Sequence, residues 1–418
     1  MKFHFSFGTK LDKGSNLPEL FKLSSFFEHF YIIGKTGMGK SVLMEKMAHK
    51  SLKNEYSIIY IDPKGESVNK LFSLHKNNDK VKYISFQNPI KINPLRKNGY
   101  QIDRLIREFT DVMDIMITTT STNPETTVRM KQILSKSIKG FKDSDRNLNF
   151  LQKFLTFTDE RKKYVFNDTE TNKWFSEIES TSRSGYKNAN DYIGTMASIS
   201  SRLSQFIDND EMAQFISNEN ELDINELVEN GKSLLVNTNT SDTDNQKFLS
   251  SLIIYSIVSY IKTAKNPKPL FVYVDEFQTC VNNSFTEILM FGRGKQVSFT
   301  LAHHDFLEVS PKILNSILGI VNNYIVFRTG YDEAKRLANE LKTKPDVIVD
   351  LPKYEAFIRL GTEVTLIETF PPKLKESPEI EQKPLFVATS EIGIEQKPIE
   401  ETQQNYNFLG NGDSWVNF

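Results

Sequence analysis

The feature that most constrains this chain is a glycine-rich loop between a short apolar segment and a helical pattern. Residues 30–33 read Phe-Tyr-Ile-Ile and predict a strand, and a helix is predicted from about Lys40. Between them, Gly34 and Gly39 are separated by four residues and followed by Lys40 and Ser41. This spacing in this context is typical of a loop that binds nucleotide phosphates. The predicted nucleotide-binding residues are Gly34, Lys35, Thr36, Gly37, Met38, Gly39, Lys40 and Ser41.

Each residue type in the loop has a chemical reason to be there. Glycines let backbone N–H groups wrap around the β-phosphate of ATP without steric conflict. Lys40 is expected to reach the β- and γ-phosphate oxygens, and the Ser41 hydroxyl is expected to bind Mg²⁺. A dinucleotide-binding fingerprint is excluded, since no glycine follows Gly39 at the spacing it needs.

A second apolar segment supplies carboxylates. Residues 270–274 read Leu-Phe-Val-Tyr-Val and end at Asp275 and Glu276, which is the pattern of a buried strand that delivers two acids to one edge of a sheet. Alone, this pattern often marks only a strand end. With the phosphate loop upstream, we interpret Asp275 as a magnesium ligand and Glu276 as the catalytic base that activates water.

Two further residues are predicted near this edge. Arg293 lies in a Gly-flanked segment and His304 follows an apolar segment at 297–301. We expect both at the active edge of the sheet, with Arg293 inserting into the γ-phosphate site of a neighbouring subunit. The alternative for Arg293 is a solvated loop. A zinc site at His303 and His304 is disfavoured, since no other ligands lie at a suitable spacing.

The order of patterns predicts an α/β fold with a mainly parallel central sheet. An apolar segment at 57–61 completes a βαβ unit, and strand patterns resume at 233–236 and 324–327. The predicted domains are the first part of an ATPase domain at 1–100, an all-α insert at 101–230, the second part of the ATPase domain at 231–370 and a disordered tail at 371–418. The aromatic end of that tail suggests a docking peptide.

Composition limits the class of protein. The 52 Lys and Arg balance 53 Asp and Glu for a net charge of -1, so no basic surplus indicates a passive nucleic-acid coat protein. One cysteine excludes an internal disulfide and suits a reducing compartment. The first residues lack a signal-peptide pattern, and no uncharged apolar run is long enough to span a bilayer. We therefore expect a cytoplasmic protein, with recruitment to the inner face of the membrane left open.

Together these motifs resemble a known family. Residues 34–41, Asp-Pro-Lys-Gly-Glu at 62–66, Ile-Asn-Pro-Leu at 92–95 and Val-Asp-Glu-Phe at 274–277 are similar to the TraG/TraD type of type IV secretion coupling protein, in the HerA/FtsK branch of RecA-like ATPases. The resemblance implies a RecA-like P-loop NTPase that binds ATP and Mg²⁺. It also implies a hexameric ring that moves DNA, with a relaxase and membrane-bound secretion components as partners through the tail.

The chain also departs from the pattern of this family. It implies that Lys40, Ser41, Asp275, Glu276 and Arg293 hold the family's ATPase roles, but His304 stands where the family usually has a glutamine that senses the γ-phosphate. An imidazole cannot present a donor and an acceptor side by side as an amide does. The phosphate loop begins at residue 34, so we expect this chain to differ from typical coupling proteins, which carry two membrane helices before it.

Alternative functions follow from these departures. One is a soluble genome-packaging motor, or a DNA-processing or defence ATPase, of HerA/FtsK type. Another is a nucleotide-dependent scaffold that assembles a complex and moves nothing. Glu276 favours hydrolysis over a mere nucleotide switch, because a switch does not need a catalytic base.

Overall fold

The structure is a computed structural model that describes residues 7–11, 27–96, 101–118, 124–181, 189–280 and 285–369. The predicted tail at 371–418 lies outside the described residues. Strands in chain order are β1 Thr9–Lys10, β2 Phe30–Ile33, β3 Ser57–Asp62, β4 Val81–Ile84, β5 Ser233–Asn237, β6 Leu270–Val274, β7 Val297–His303, β8 Asn323–Val326, β9 Glu355–Leu360 and β10 Glu363–Glu368.

Helices fill much of the remaining described chain. They are α1 Lys40–Lys53, α2 Glu66–His75, α3 Ile102–Thr118, α4 Pro124–Gly140, α5 Leu148–Thr156, α6 Thr158–Lys163, α7 Thr169–Thr181, α8 Ala189–Ile207, α9 Asp210–Ala213, α10 Ile224–Glu229, α11 Thr243–Thr263, α12 Phe285–Gly294, α13 Pro311–Ile320, α14 Tyr331–Leu337 and α15 Pro345–Val349. Short 3₁₀ turns occur at Asp143–Asp145, Phe277–Thr279 and Phe306–Glu308.

The described strands form one sheet in the order β1-β10-β9-β8-β2-β7-β6-β3-β5-β4. From β8 to β4 every neighbouring pair is parallel, whereas β9 and β10 run antiparallel at one side. All residues of β2, β3 and β6 are buried, because helices cover both faces of the parallel part. This explains why these strands are continuous apolar runs rather than alternating ones.

The core that fixes the phosphate loop lies between α1 and the sheet. Leu43, Met44 and Met47 point from α1 onto buried strand residues such as Ile58 and Tyr273. Residues three and four positions apart lie on one face of a helix, so this spacing gives α1 a continuous apolar face toward the sheet. Packing of that face holds the beginning of α1 directly over the end of β2.

Several strands were not predicted from the sequence. β4 is short, and its Lys82 interrupts the apolar pattern. The hairpin of β9 and β10 carries many half-exposed residues and turns at Gly361, whose φ of +57° suits glycine.

None of the described helices combines the length and apolar character that crossing a bilayer demands. The division into the domains 1–100, 101–230, 231–370 and 371–418 stays a prediction.

Parallel topology determines where functional residues meet. The carboxyl ends of β2, β3, β6, β7 and β8 all lie at one edge of the sheet. Loops at this edge are the usual location of ligand sites in open α/β sheets. The residues that directly follow these strands are therefore placed to form a ligand site.

Candidate functional site

The phosphate loop adopts a conformation that its glycines permit. Gly39 has φ of +118° and Gly37 has φ of +79°, both in the region that favours glycine. At Gly34, a Cβ atom would lie 2.5 Å from Phe327 Cβ, so a side chain there would collide with the segment after β8. Gly39 directly precedes α1 and provides no side-chain hydrogen bond to the first N–H groups of the helix. Such N–H groups are suited to a phosphate.

Lys40 folds back over this loop. Its Nζ donates to Gly34 O at 2.5 Å and to Lys35 O at 3.3 Å. Burial lowers the pKa of Lys40, and the charges of Asp275 and Glu276 oppose that shift. The ammonium is thus held above the loop, next to the two carboxylates, where a phosphate would lie.

Ser41 and Asp275 meet across the site. Ser41 Oγ donates to Asp275 Oδ2 at 2.7 Å. Burial raises the pKa of Asp275 to about 6, although the Ser41 hydrogen bond opposes the shift. A hydroxyl oxygen and a carboxylate in contact are hard oxygen ligands, and Mg²⁺ is commonly bound by such a pair together with phosphate oxygens. The donor set therefore fits the predicted magnesium ion.

Glu276 is held by several donors. Lys64 Nζ donates to Oε1 at 2.5 Å, while Gln278 Nε2 and the His304 ring each lie 3.0 Å from Oε2. Burial would raise the pKa of Glu276, but these hydrogen bonds outweigh it and lower the pKa to about 2. Its backbone is in the left-handed region, with φ of +46°, and its N–H donates to Asp275 Oδ1 at 3.0 Å. Both predicted acids therefore lie beside Lys40 and Ser41.

His304 lies at the same edge, as expected. Its Nδ1 is 3.0 Å from Glu276 Oε2 and its Nε2 is 3.4 Å from Glu308 Oε1. The ligand atoms of these three residues lie within 4.8 Å of one another. Since only Glu276 is buried and its carboxylate is already occupied by Lys64, we interpret the group as a hydrogen-bonded chain. His304 can therefore influence the charge and orientation of the predicted base.

Arg293 is not at the active edge of its own subunit, which corrects our expectation. It lies near the end of α12, before β7 begins, and its Nη2 pairs with Glu28 Oε1 at 3.1 Å. Glu28 precedes β2, whereas Gly34 follows it. A residue between a helix and the next parallel strand lies at the amino end of that strand, opposite the phosphate loop. The Arg293 side chain is 60% exposed.

Sequence reasoning missed three residues that contact the site. None of Lys64, Gln278 and Glu308 had an assigned role. Gln278 and Glu308 lie close in sequence to Glu276 and His304, whereas Lys64 lies far from every assigned residue. Lys64 follows Asp62, the last residue of β3, whose carboxylate accepts from Lys64 N at 2.9 Å and Ser67 N at 2.8 Å. The signal that could have identified Lys64 is the Asp-Pro-Lys-Gly strand end itself.

Two segments that pack against the phosphate loop were also not predicted from the sequence. Lys35 N donates to Arg328 O at 2.7 Å, and Tyr354 N donates to Met38 O at 3.0 Å. A Cβ on Gly39 would lie 2.8 Å from the Tyr354 ring. These contacts join the segment after β8 and the segment after α15 to the loop, and no local sequence pattern predicts them.

The chain is similar to a known protein family and to several solved structures. The sequence profile described as "Helicase HerA, central domain" matches residues 5–257. A comparison with curated protein sequences finds no significant match.

Among solved structures, bacterial conjugative coupling protein TrwBΔN70 is 14% identical, with a TM-score of 0.65 over 90% of this chain and 96% of that one. TrwB with an ATP analogue is 15% identical, with a TM-score of 0.63 over 88% and 89%. VirB4 of Thermoanaerobacter pseudethanolicus is 11% identical, with a TM-score of 0.58 over 88% and 97%. At such identities the likeness is one of fold. It confirms the predicted RecA-like P-loop fold with a mainly parallel sheet and a helical insert.

Proposed function

This chain belongs to the helicase HerA central-domain family, and on that premise we propose that it is an ATP-hydrolysing motor that moves DNA through a hexameric ring of identical subunits. One observation carries the proposal. Lys40, Ser41, Asp275 and Glu276 converge at one strand edge in the geometry of a phosphate loop with metal-binding and base carboxylates. A passive nucleotide-binding scaffold has no need of the base.

The residues divide the chemistry of hydrolysis. The N–H groups of residues 34–41 and the Lys40 ammonium bind the phosphates of ATP. Ser41 and Asp275 would hold Mg²⁺, which when bound neutralises charge on the phosphate oxygens. Glu276 orients a water whose oxygen bonds to the γ-phosphorus as the bond to the β-phosphate breaks, and its carboxylate takes the proton of that water. His304 donates a hydrogen bond within this group.

Arg293 fits a role in a neighbouring site rather than in its own. Its exposed guanidinium lies away from the phosphate loop of the same subunit. In a ring, a residue on one side of a subunit faces the nucleotide site of the next subunit. We therefore keep Arg293 as the residue that offsets γ-phosphate charge in trans.

The function within the cell is proposed on the fold likeness. TrwB, a conjugative coupling protein, matches nearly the whole length of this chain, which supports a role in coupling DNA to a type IV secretion machine. The partners in that role are DNA, a relaxase and membrane-bound secretion components, with the protein in the cytoplasm or at the inner face of the membrane.

ATP turnover with and without DNA tests the motor. Purified protein is assayed for phosphate release with Mg²⁺ alone, with single-stranded DNA and with double-stranded DNA. A motor should hydrolyse ATP several-fold faster with one of the two DNA forms, because translocation couples turnover to the track. Turnover that DNA leaves unchanged would support the scaffold instead, and the Glu276→Gln variant gives the background rate.

A further inference from the structure

The ion pair between Lys64 and Glu276 lies at the centre of the site, and the proposed steps of hydrolysis do not use it. Lys64 Nζ lies 2.5 Å from Glu276 Oε1, and the side chains are 52% and 10% exposed. Lys64 therefore neutralises the charge of the residue that is proposed to accept a proton. A carboxylate bound to an ammonium group is a weaker base and a poorer acceptor for water.

The carboxylate of Glu276 has little room for a water molecule. Its Oε2 already faces Gln278 and the His304 ring at 3.0 Å. Oε1 is the oxygen that a reacting water could approach, and Lys64 occupies one of its two lone pairs. We therefore expect efficient proton transfer to Glu276 only when the Lys64 ammonium moves away.

Lys64 lies where a second anion can reach it. It contacts Glu276, which directly follows Asp275, and Asp275 accepts from Ser41 at 2.7 Å, so the ammonium lies near the predicted magnesium and phosphate site. Its backbone is held, because its N–H donates to Asp62 Oδ1 at 2.9 Å, but its long side chain is half exposed. A lysine has a flexible stem and a compact charge, and it can turn between two acceptors without moving the loop.

We propose that Lys64 binds two anions in turn, holding Glu276 when the site lacks a γ-phosphate and transferring to the γ-phosphate when ATP binds. This inference rests on the proposed ATPase function. The γ-phosphate carries more negative charge than a carboxylate and competes successfully for the ammonium. Once Lys64 leaves, Glu276 Oε1 can accept the proton of the attacking water. ADP lacks the γ-phosphate, so Lys64 stays on Glu276.

A double-mutant cycle on nucleotide binding tests the transfer. The dissociation constants of a non-hydrolysable ATP analogue and of ADP, both with Mg²⁺, are measured for wild type, Glu276→Gln, Lys64→Met and the double variant. Glu276→Gln should release Lys64 and tighten the ATP analogue about tenfold, with little change for ADP. That gain should disappear when Lys64→Met is also present, whereas Lys64→Arg should keep part of it.

The controls separate this inference from general charge effects. Lys91→Met removes a lysine from an exposed pair with Glu219 and should leave the gain intact. A gain that persists in the Lys64→Met background, or that is equally large for ADP, would mean that Glu276 merely repels nucleotide, and would overturn the transfer. ADP affinity and thermal melting report folding of Lys64→Met, and Lys64→Gln replaces it if it misfolds. Wild type that binds neither nucleotide would overturn the ATPase proposal itself, and the transfer with it.

Discussion

Ser41 Oγ donates a hydrogen bond to Asp275 Oδ2 at 2.7 Å, although the two residues are 234 positions apart in the chain. Ser41 belongs to the first turn of α1 and Asp275 follows β6, which is separated from β2 by β7. The helix that leaves the phosphate loop thus reaches sideways over the sheet edge. Two motifs recognised separately in the sequence become one candidate magnesium site.

Lys40 and Glu276 should affect different steps. Lys40→Ala should abolish nucleotide binding, because the ammonium above the loop is lost. Glu276→Gln should bind ATP but lower kcat by about 10²- to 10⁴-fold, since an amide cannot take a proton from water. Binding of a fluorescent nucleotide and steady-state phosphate release measure the two effects. Lys53→Ala, at the far end of α1, is the control for loss of a lysine. Native turnover by Glu276→Gln would contradict the base assignment.

Arg293 should act on a neighbouring subunit. Arg293→Ala should bind ATP and assemble but hydrolyse about 10³- to 10⁵-fold more slowly, because the charge that offsets the developing negative charge is gone. Mixing it with Lys40→Ala subunits should restore activity, since the latter donate an arginine to intact sites. Phosphate release is measured across mixing ratios, with mixed rings confirmed by mass.

A matched variant separates this role from a structural one. Glu28 is the partner of Arg293 within the subunit, so Glu28→Gln breaks that ion pair and leaves the guanidinium in place. It should retain most activity, because exposed pairs contribute little to stability. If Glu28→Gln lost as much activity as Arg293→Ala, or if no mixture recovered, the trans role would be wrong.

DNA binding should depend on assembly. The near-neutral composition gives a single subunit no overall basic surplus, so we expect strong binding to need copies of a modest patch arranged by symmetry. Monomers should bind DNA weakly, and oligomers should bind tightly with an affinity that falls steeply as salt rises. Fluorescence anisotropy on separated fractions at several salt concentrations measures this. Tight binding by the monomer that salt does not weaken is the contrary result.

His29 should make the protein less stable in acid. Its ring accepts from Phe299 N at Nδ1 and donates to Leu289 O at 2.7 Å, and burial lowers its pKa from 6.5 to about 4. Below pH 6.5 the unfolded chain gains a proton that the folded chain refuses. The free energy of unfolding should therefore fall by up to about 3 kcal/mol between pH 6.5 and pH 4.

The test compares pH profiles rather than single values. Urea unfolding of wild type and His29→Gln is followed from pH 7.5 to pH 4.5, because the glutamine amide keeps a donor and an acceptor but has no proton to gain. The difference between the two profiles isolates His29 from the carboxylates that titrate in both proteins. Parallel profiles would show that His29 does not carry this pH dependence.

The sequence alone was enough to predict the phosphate loop, the acid pair and the parallel sheet. Each of these features depends on residues that are close together in the chain: the glycines of the loop, the continuous apolar residues of a buried strand, and the spacing of Lys40 and Ser41. Residues that directly follow a parallel strand could also be assigned to one edge without knowing the strand order. His304 was placed at that edge for this reason.

The residues that surround those groups could not be predicted from the sequence and are defined by the folded structure. Arg293 was expected at the active edge but lies at the opposite one, beside Glu28, because its segment leads into β7 rather than out of it. Lys64 contacts Glu276, and Tyr354 lies against Gly39, because the order of the strands in the sheet brings their loops together. Such contacts join residues far apart in the chain, and no local periodicity or turn chemistry encodes which distant side chain will fill a given space.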